Sequence, residues 1–168
     1  ERLDVTGKAT LDFVNYYGGE TTQFTNMYFP LTMRYRTERD EWGFSGGFTR
    51  DNTLLGELLT TGVVLRFTQQ NLWNLNPSWT RMITESLSFQ SSFQFSDASY
   101  QDALRVGLVD YQVFGGSAGF LYHLTERDDV QLAGTYTNFH TTNAPVGLRA
   151  YYPGALFTYS HAFTEGLK

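Results

Sequence analysis

The sequence predicts an all-β protein, the antiparallel up-and-down wall of a β-barrel with eight strands, and three observations carry that expectation. Apolar and polar residues alternate with a period of two over long stretches, where a helix would show a period near 3.6. A short phrase beginning Thr-Glu returns at Thr37, Thr84, Thr125 and Thr164. Aromatic residues make up 17% of the 168 residues while charged residues also make up only 17%, against about 25% in ordinary soluble domains.

The strands follow in order. In the first, Leu3, Val5, Gly7, Ala9, Leu11 and Phe13 alternate with Asp4, Thr6, Lys8, Thr10 and Asp12. The second sets Met27, Phe29, Leu31, Met33 and Tyr35 against Asn26, Tyr28, Pro30, Thr32, Arg34 and Arg36. The third sets Trp42, Phe44, Gly46 and Phe48 against Gly43, Ser45, Gly47 and Thr49. A noisier fourth is expected near 63–83. The fifth is the clearest, with Leu87, Phe89, Ser91, Phe93 and Phe95 on one face and Ser88, Gln90, Ser92, Gln94 and Ser96 on the other. Three more are expected near 108–124, 130–140 and 150–163. The only helix foreseen is a single turn at residues 54–59. Pro30 and Pro77 lie inside strands, and each lacks an amide donor, so each predicts a gap or bulge in its ladder. Pro153 opens the last strand.

The Thr-Glu phrase organises the chain. Its glutamates, with Glu1 as a truncated first copy, stand at 1, 38, 85, 126 and 165. They divide one domain into four strand-loop-strand units, 1–37, 38–84, 85–125 and 126–164, joined by tight polar turns. Loops of roughly 7–12 residues, rich in Gly, Asn, Thr and Asp, are expected at the opposite end. Because the chain starts as if a turn had just passed and ends on the phrase that elsewhere introduces a strand, eight strands of a wider barrel are expected. A bare-edged sheet could not stand in lipid alone.

Alternation leaves open which face meets which solvent, and the composition of the polar face decides. A soluble lipocalin-like barrel shows its polar face to bulk water and enriches it in Lys and Glu. Here that face is Ser, Thr, Gln, Asn and Gly, and the chain has 21 Thr against two Lys. Such residues suit a confined hydrated lumen, with the apolar face turned to lipid. Strands of 11–14 residues are long enough to cross hydrocarbon with some overhang. Aromatics also gather toward strand ends, where two interfacial belts are expected. Tyr16, Tyr17, Phe24, Tyr100, Tyr111, Tyr151 and Tyr152 stand at the loop end, and Tyr35, Trp42, Tyr122, Tyr159 and Phe163 at the turn end.

Several function classes drop out. The formal charge is −5, and ten Arg with two Lys form no basic run, which argues against a nucleic-acid partner. Cysteine is absent, which removes disulfides, thiolate metal sites and cysteine nucleophiles. No apolar run reaches the roughly 18–20 residues of a membrane-spanning helix. His123 and His161 stand two or three residues before tight turns, at the rim away from the longer loops, and His140 has no evident Asp or Ser partner at motif spacing, so no catalytic residue is assigned. Asp97, Asp102 and Asp110 match no calcium-loop spacing, and the Gly115–Gly119 run lacks the Lys and helix of a phosphate cradle. No metal and no cofactor is expected. The candidate functional groups are Asp4, Lys8 and Asp12 on the inward face of the first strand, with Arg34 and Arg36 on that of the second. Hairpin pairing brings them laterally close, as a buried ion network in a narrow barrel or a selectivity patch in a wide one.

The alternating strands, Thr-Glu-Arg-Asp turns, longer opposite loops and aromatic strand ends resemble the Gram-negative outer-membrane β-barrel proteins over essentially the whole chain. More narrowly, Arg50-Asp51-Asn52-Thr53-Leu54, Glu57-Leu58, Pro77-Ser78-Trp79 and Gly107-Leu108-Val109-Asp110-Tyr111 are similar to phrases in uncharacterised proteobacterial outer-membrane barrels. The resemblance implies a bacterial outer-membrane location, with turns toward the periplasm and loops outside. The implied partners are lipid, lipopolysaccharide and further barrel strands or subunits. The expected role is non-enzymatic: a porin-like wall of a channel or export conduit, or an envelope-spanning scaffold. The alternatives are a complete eight-stranded anchor binding a partner through its loops, and a soluble ligand-binding barrel.

Overall fold

The computed structural model describes residues 2–16, 22–52, 68–103, 107–144 and 146–163. The helical turn expected at 54–59, the loop residue Tyr17 and the phrase at 164–166 lie outside the described residues. The chain is all-β. Nine antiparallel strands, β1 (Arg2–Gly7), β2 (Thr10–Tyr16), β3 (Thr22–Arg36), β4 (Asp40–Asn52), β5 (Gln69–Met82), β6 (Leu87–Tyr100), β7 (Tyr111–His123), β8 (Asp128–Thr141) and β9 (Arg149–His161), form one sheet. From β3 onward each strand pairs with the next in sequence, while β1 and β2 both pair with β3. The sheet is open among the described residues, with β1 and β2 along one edge and β9 along the other.

The count of nine rather than eight has its cause in Pro30. Gly7 pairs with Leu31 and Thr10 with Tyr28, so the same number of residues is skipped on both sides and the register is unchanged across the break. Between them Lys8 donates its amide to the Pro30 carbonyl at 3.2 Å. A strand residue's N–H and C=O point the same way, so the missing proline donor is the one Lys8's carbonyl would have used. The first strand is therefore one strand with a missing stitch. Pro77 does the same to β5 and β6, where pairing stops at Leu75–Phe95 and resumes at Ser78–Ser92 in the same register. Both prolines leave gaps, and neither makes a bulge.

The repeated phrase is a turn device. Thr37 donates its amide to the Asp40 carbonyl at 2.8 Å, and its hydroxyl accepts the Asp40 amide at 3.0 Å. Thr84 repeats this with Leu87, at 3.1 and 3.0 Å. In the third copy the Thr125 hydroxyl accepts the Arg127 amide at 3.1 Å and donates to the Asp128 carboxylate at 2.6 Å. A side-chain oxygen that satisfies turn amides locally explains why Thr opens the three described copies.

Register and alternation sort the sheet into two faces. One carries Leu31, Gly46, Leu75, Phe95 and Phe114 as successive partners, and Tyr35, Trp42 and Trp79 as others. The opposite one carries Thr32, Ser45 and Asn76, and beyond a ladder gap Ser96 and Val113. No layer covers either face among the described residues. Among the described residues no large side chain is fully buried, and the buried apolar residues are only Ala98, Ala103 and Ala133. The chain exposes 12098 Å², whereas a compact monomer of 19.2 kDa would expose roughly 8,400 Å².

Within the strands the exposed large apolar residues belong almost entirely to one face: Leu11, Phe13, Trp73, Phe120, Leu132 and Phe157 among them, with Phe13 77% and Phe157 68% exposed. They form a band seven to nine residues tall on β3 to β9, from Trp42 to Phe48 on β4 and from Tyr151 to Tyr159 on β9. Ring contacts edge the band on both sides. At the turn end Trp42 stacks on Trp79 at 5.2 Å, Trp79 meets Phe89 at 5.7 Å, and Phe89 meets Phe120 at 5.4 Å. At the loop end Phe29 meets Phe48 at 6.4 Å, Phe48 meets Trp73 at 4.7 Å, and Phe95 meets Phe114 at 4.9 Å. Beyond these rings the same face turns polar, with Arg50, Asn71, Asp97 and Gln112 on the loop side and Asp40, Arg81 and Asp128 on the turn side.

Aromatic placement corrects part of the expectation. Tyr35, Trp42, Tyr122 and Tyr159 lie on the apolar face at the turn end as expected, and Tyr151 at the loop end. Phe24, Tyr100, Tyr111 and Tyr152 lie on the polar face instead, and Phe48, Trp73, Phe95 and Phe114 take the loop-end row. Closeness to a loop does not set facing; parity along the strand does.

Candidate functional site

The polar face divides into two chemically distinct halves. The charged half lies on β1 to β4. Register sets Arg2 opposite Arg36 and Asp4 opposite Arg34, so residues far apart in sequence become lateral neighbours. Arg34 and Arg36 both reach Glu41, through Nε at 2.8 and 2.7 Å, while Arg2 pairs with Asp4 at 3.0 Å. All five side chains are a third or more exposed, so this network is wet. Wet ion pairs add little stability and shape the local field instead. The cluster carries three cations and two anions. Beside it runs a groove lined by Thr6, Thr32, Glu41, Ser45, Asn76 and Ser78. Gly43 keeps that groove open, since a Cβ there would stand 2.4 Å from the Ser78 hydroxyl oxygen.

The candidate residues thus separate. Asp4, Arg34 and Arg36 converge. Lys8 and Asp12 share their face but stand further along, at the level of Pro30 and opposite Asn26. Arg2 and Glu41 complete the cluster without having been expected. The signal for Glu41 was present: Arg36 and Glu41 flank the Thr37–Asp40 turn, and a tight turn fixes that pairing.

The second half, β5 to β9, is uncharged between its rims. Ser92 and Ser117 share a hydrogen bond of 2.8 Å, Ser96 donates to Asn74 at 2.7 Å, and Gln131 donates to Gln90 at 3.2 Å across the width of β7. Glycines make these contacts possible. A Cβ at Gly115 would fall 2.7 Å from the Gln94 amide nitrogen, and one at Gly119 would fall 2.5 Å from the Ala133 Cβ.

The rims use the remaining titratable groups. At the turn rim Asp128 accepts Thr125, Tyr159 and His161, each at 2.6 Å, and those bonds hold its carboxyl well below the usual range. His123 pairs with Asp129 at 2.5 Å. Here Thr125 gives its proton to a carboxylate rather than to an imidazole, so the arrangement braces a turn and does not activate a hydroxyl. His140 stacks on Phe114 at 6.0 Å. At the loop rim Asp110 accepts the Tyr100 amide at 2.8 Å and Asn143 at 3.3 Å, and Asp97 accepts Gln112 at 2.5 Å, so these aspartates hold strand ends in place. Burial pushes the Asp51 carboxyl up. Among the described residues no three His, Asp or Glu side chains gather as metal ligands. No family model, curated protein or solved structure matches the chain.

Proposed function

We propose that this chain is wall of an outer-membrane β-barrel conduit in a bacterial envelope. Its apolar face meets lipid and lipopolysaccharide, its polar face bounds a hydrated lumen, and further strands or subunits complete it at the two free edges. One observation carries the reading: a single face holds the exposed apolar band, and a row of aromatic rings bounds it at each end. The band is seven to nine strand residues tall, beside the roughly 9–11 residues with which a tilted strand crosses hydrocarbon. Burying a large apolar side chain is favourable by about 1.5–3 kcal/mol, so covering this face is worth on the order of 20 kcal/mol. Left in water, so large a patch would drive aggregation. The Trp79 indole donates to Asp40 at 2.9 Å at the turn end of the band, the amphipathic placement expected where hydrocarbon meets water.

Edge chemistry points the same way. In lipid every backbone group needs a partner, and β9, an edge strand among the described residues, carries only Arg149 and Pro153 of the devices that keep soluble edges apart. Detergent extraction followed by gel mobility with and without heating tests the proposal. Extraction only with detergent and a heat-dependent mobility shift are the expected results; a monomer that stays soluble without detergent overturns it.

A further inference from the structure

The uncharged half of the polar face identifies a class of passenger. Among the described residues of β5 to β9, that face carries one residue of the Asp, Glu, Lys and Arg types, Asp129, and it sits at the turn rim in a pair with His123. A surface that needs only to stay wet has no reason to shun charge. This strip offers amides and hydroxyls, groups that each donate and accept. Their exposure leaves them free to bond something besides each other: Ser78, Ser92 and Gln94 are exposed, and Gln90, Ser117 and Gln131 are half-buried. Gly119 and Ala133 floor a recess of about 180 Å³ between Thr80, Gln90, Ser117 and Gln131.

The same face becomes aromatic toward the loops. Tyr111 and Phe139 meet at 5.5 Å, Tyr100 accepts a hydrogen bond from Gln70 at 3.3 Å, and Tyr152 is 62% exposed. Aromatic faces at the mouth followed by amphoteric groups along the wall suit one kind of molecule. It has weakly polar C–H faces to lie against rings and many hydroxyls that both give and take hydrogen bonds, and it has no charge. We propose that β5 to β9 form a track for an uncharged glycan chain, entering over Tyr152 and passing Gln94 and Gln90. The proposal rests on the polar face bounding a lumen, as proposed above. Ionic solutes would sense the Arg34, Arg36 and Glu41 cluster on the other half.

Equilibrium dialysis of radiolabelled maltoheptaose against the full chain, folded in lauryldimethylamine oxide rather than a sugar detergent, tests it. Saturable binding is expected, weakened about tenfold by Tyr152→Ser and by Gln90→Leu, and changed less than twofold by Arg34→Gln. Tyr152 is exposed and Gln90 half-buried; should either variant fail to fold, Gln94→Glu, which changes no packing, is expected to weaken binding as well. No saturable binding, or equal binding by all variants, overturns the proposal. So does equal competition by polyethylene glycol of the same length, which would mark simple space filling. Dialysis works in whatever medium holds the protein, so solubility without detergent would overturn the membrane reading alone.

Discussion

The two halves of the sheet are alike on the apolar face and different on the polar one. On β3 and β4 the apolar face carries Met33, Tyr35, Trp42 and Phe44, and on β6 and β7 it carries Phe89, Phe93, Phe114 and Phe120. The polar face behind them holds Arg34, Arg36 and Glu41 in the first half, and Gln90, Ser92 and Ser117 in the second. On the proposed reading one medium imposes one requirement, which the uniform apolar face meets. The polar face is free to vary, and the proposed functions rest on that variation.

The sharpest way to break the comparison is to place one charge on each face at the same height. Phe93→Arg, in the middle of the band, is expected to cost roughly 2–4 kcal/mol of folding free energy in lipid vesicles. Gln94→Arg, one residue on, is expected to cost less than about 1 kcal/mol, because that position meets water. Urea titration read by tryptophan fluorescence measures both. A larger loss for Gln94→Arg would reverse the two faces and with them the proposed location.

The next test separates the halves. Replacing Arg34 and Arg36 by Gln removes two of three cations from a cluster that retains two anions. Cation preference in planar-bilayer recordings should therefore rise, by roughly two- to three-fold in permeability ratio. The shift should shrink in concentrated salt as the charges are screened. Neutral changes at Ser92 or Ser117 should leave the ratio where it was. Unchanged selectivity in the double variant would remove the cluster from the lumen.

Glu41→Gln sharpens the same contrast with a smaller stability effect. Its ion pairs are wet, so the expected loss is below about 1 kcal/mol, while selectivity moves toward anions, opposite to the arginine variant. The smallest effect belongs to the turn rim. The carboxyl of Asp128 is held below its usual range, so its stabilisation is present above the ordinary carboxylate pKa of about 3.9 and is lost as pH falls below it. Unfolding midpoints followed downward from pH 5 should fall less steeply for Asp128→Asn than for the natural chain. Parallel curves would show that the brace contributes nothing.

Much of this was legible in the sequence because its signals are local. A period of two sorts side chains between faces wherever the run is clean, as from Leu87 to Ser96, and a Thr whose hydroxyl closes its own turn can be read without knowing any partner. Register was half-legible. The Arg36–Glu41 pair follows from a tight turn, yet attention to the first loop alone led to Lys8 and Asp12, which stand away from the cluster. The loop-end aromatics failed for another reason. Tyr100 and Tyr111 are near a loop in sequence, but Tyr100 shares its parity with Ser96, and parity is what a pleated strand obeys. The split of the first strand was beyond local reading, since the foreseen gap falls on the partner that pairing selects.

Pro30 and Pro77 have one more implication. Each omits a single stitch without altering the count on either side, so the fabric keeps its pattern while losing stiffness along two lines. A wall built this way bends most cheaply at those lines. Any change in the curvature of the sheet has two creases already in place, one beside the ionic patch and one beside the neutral strip.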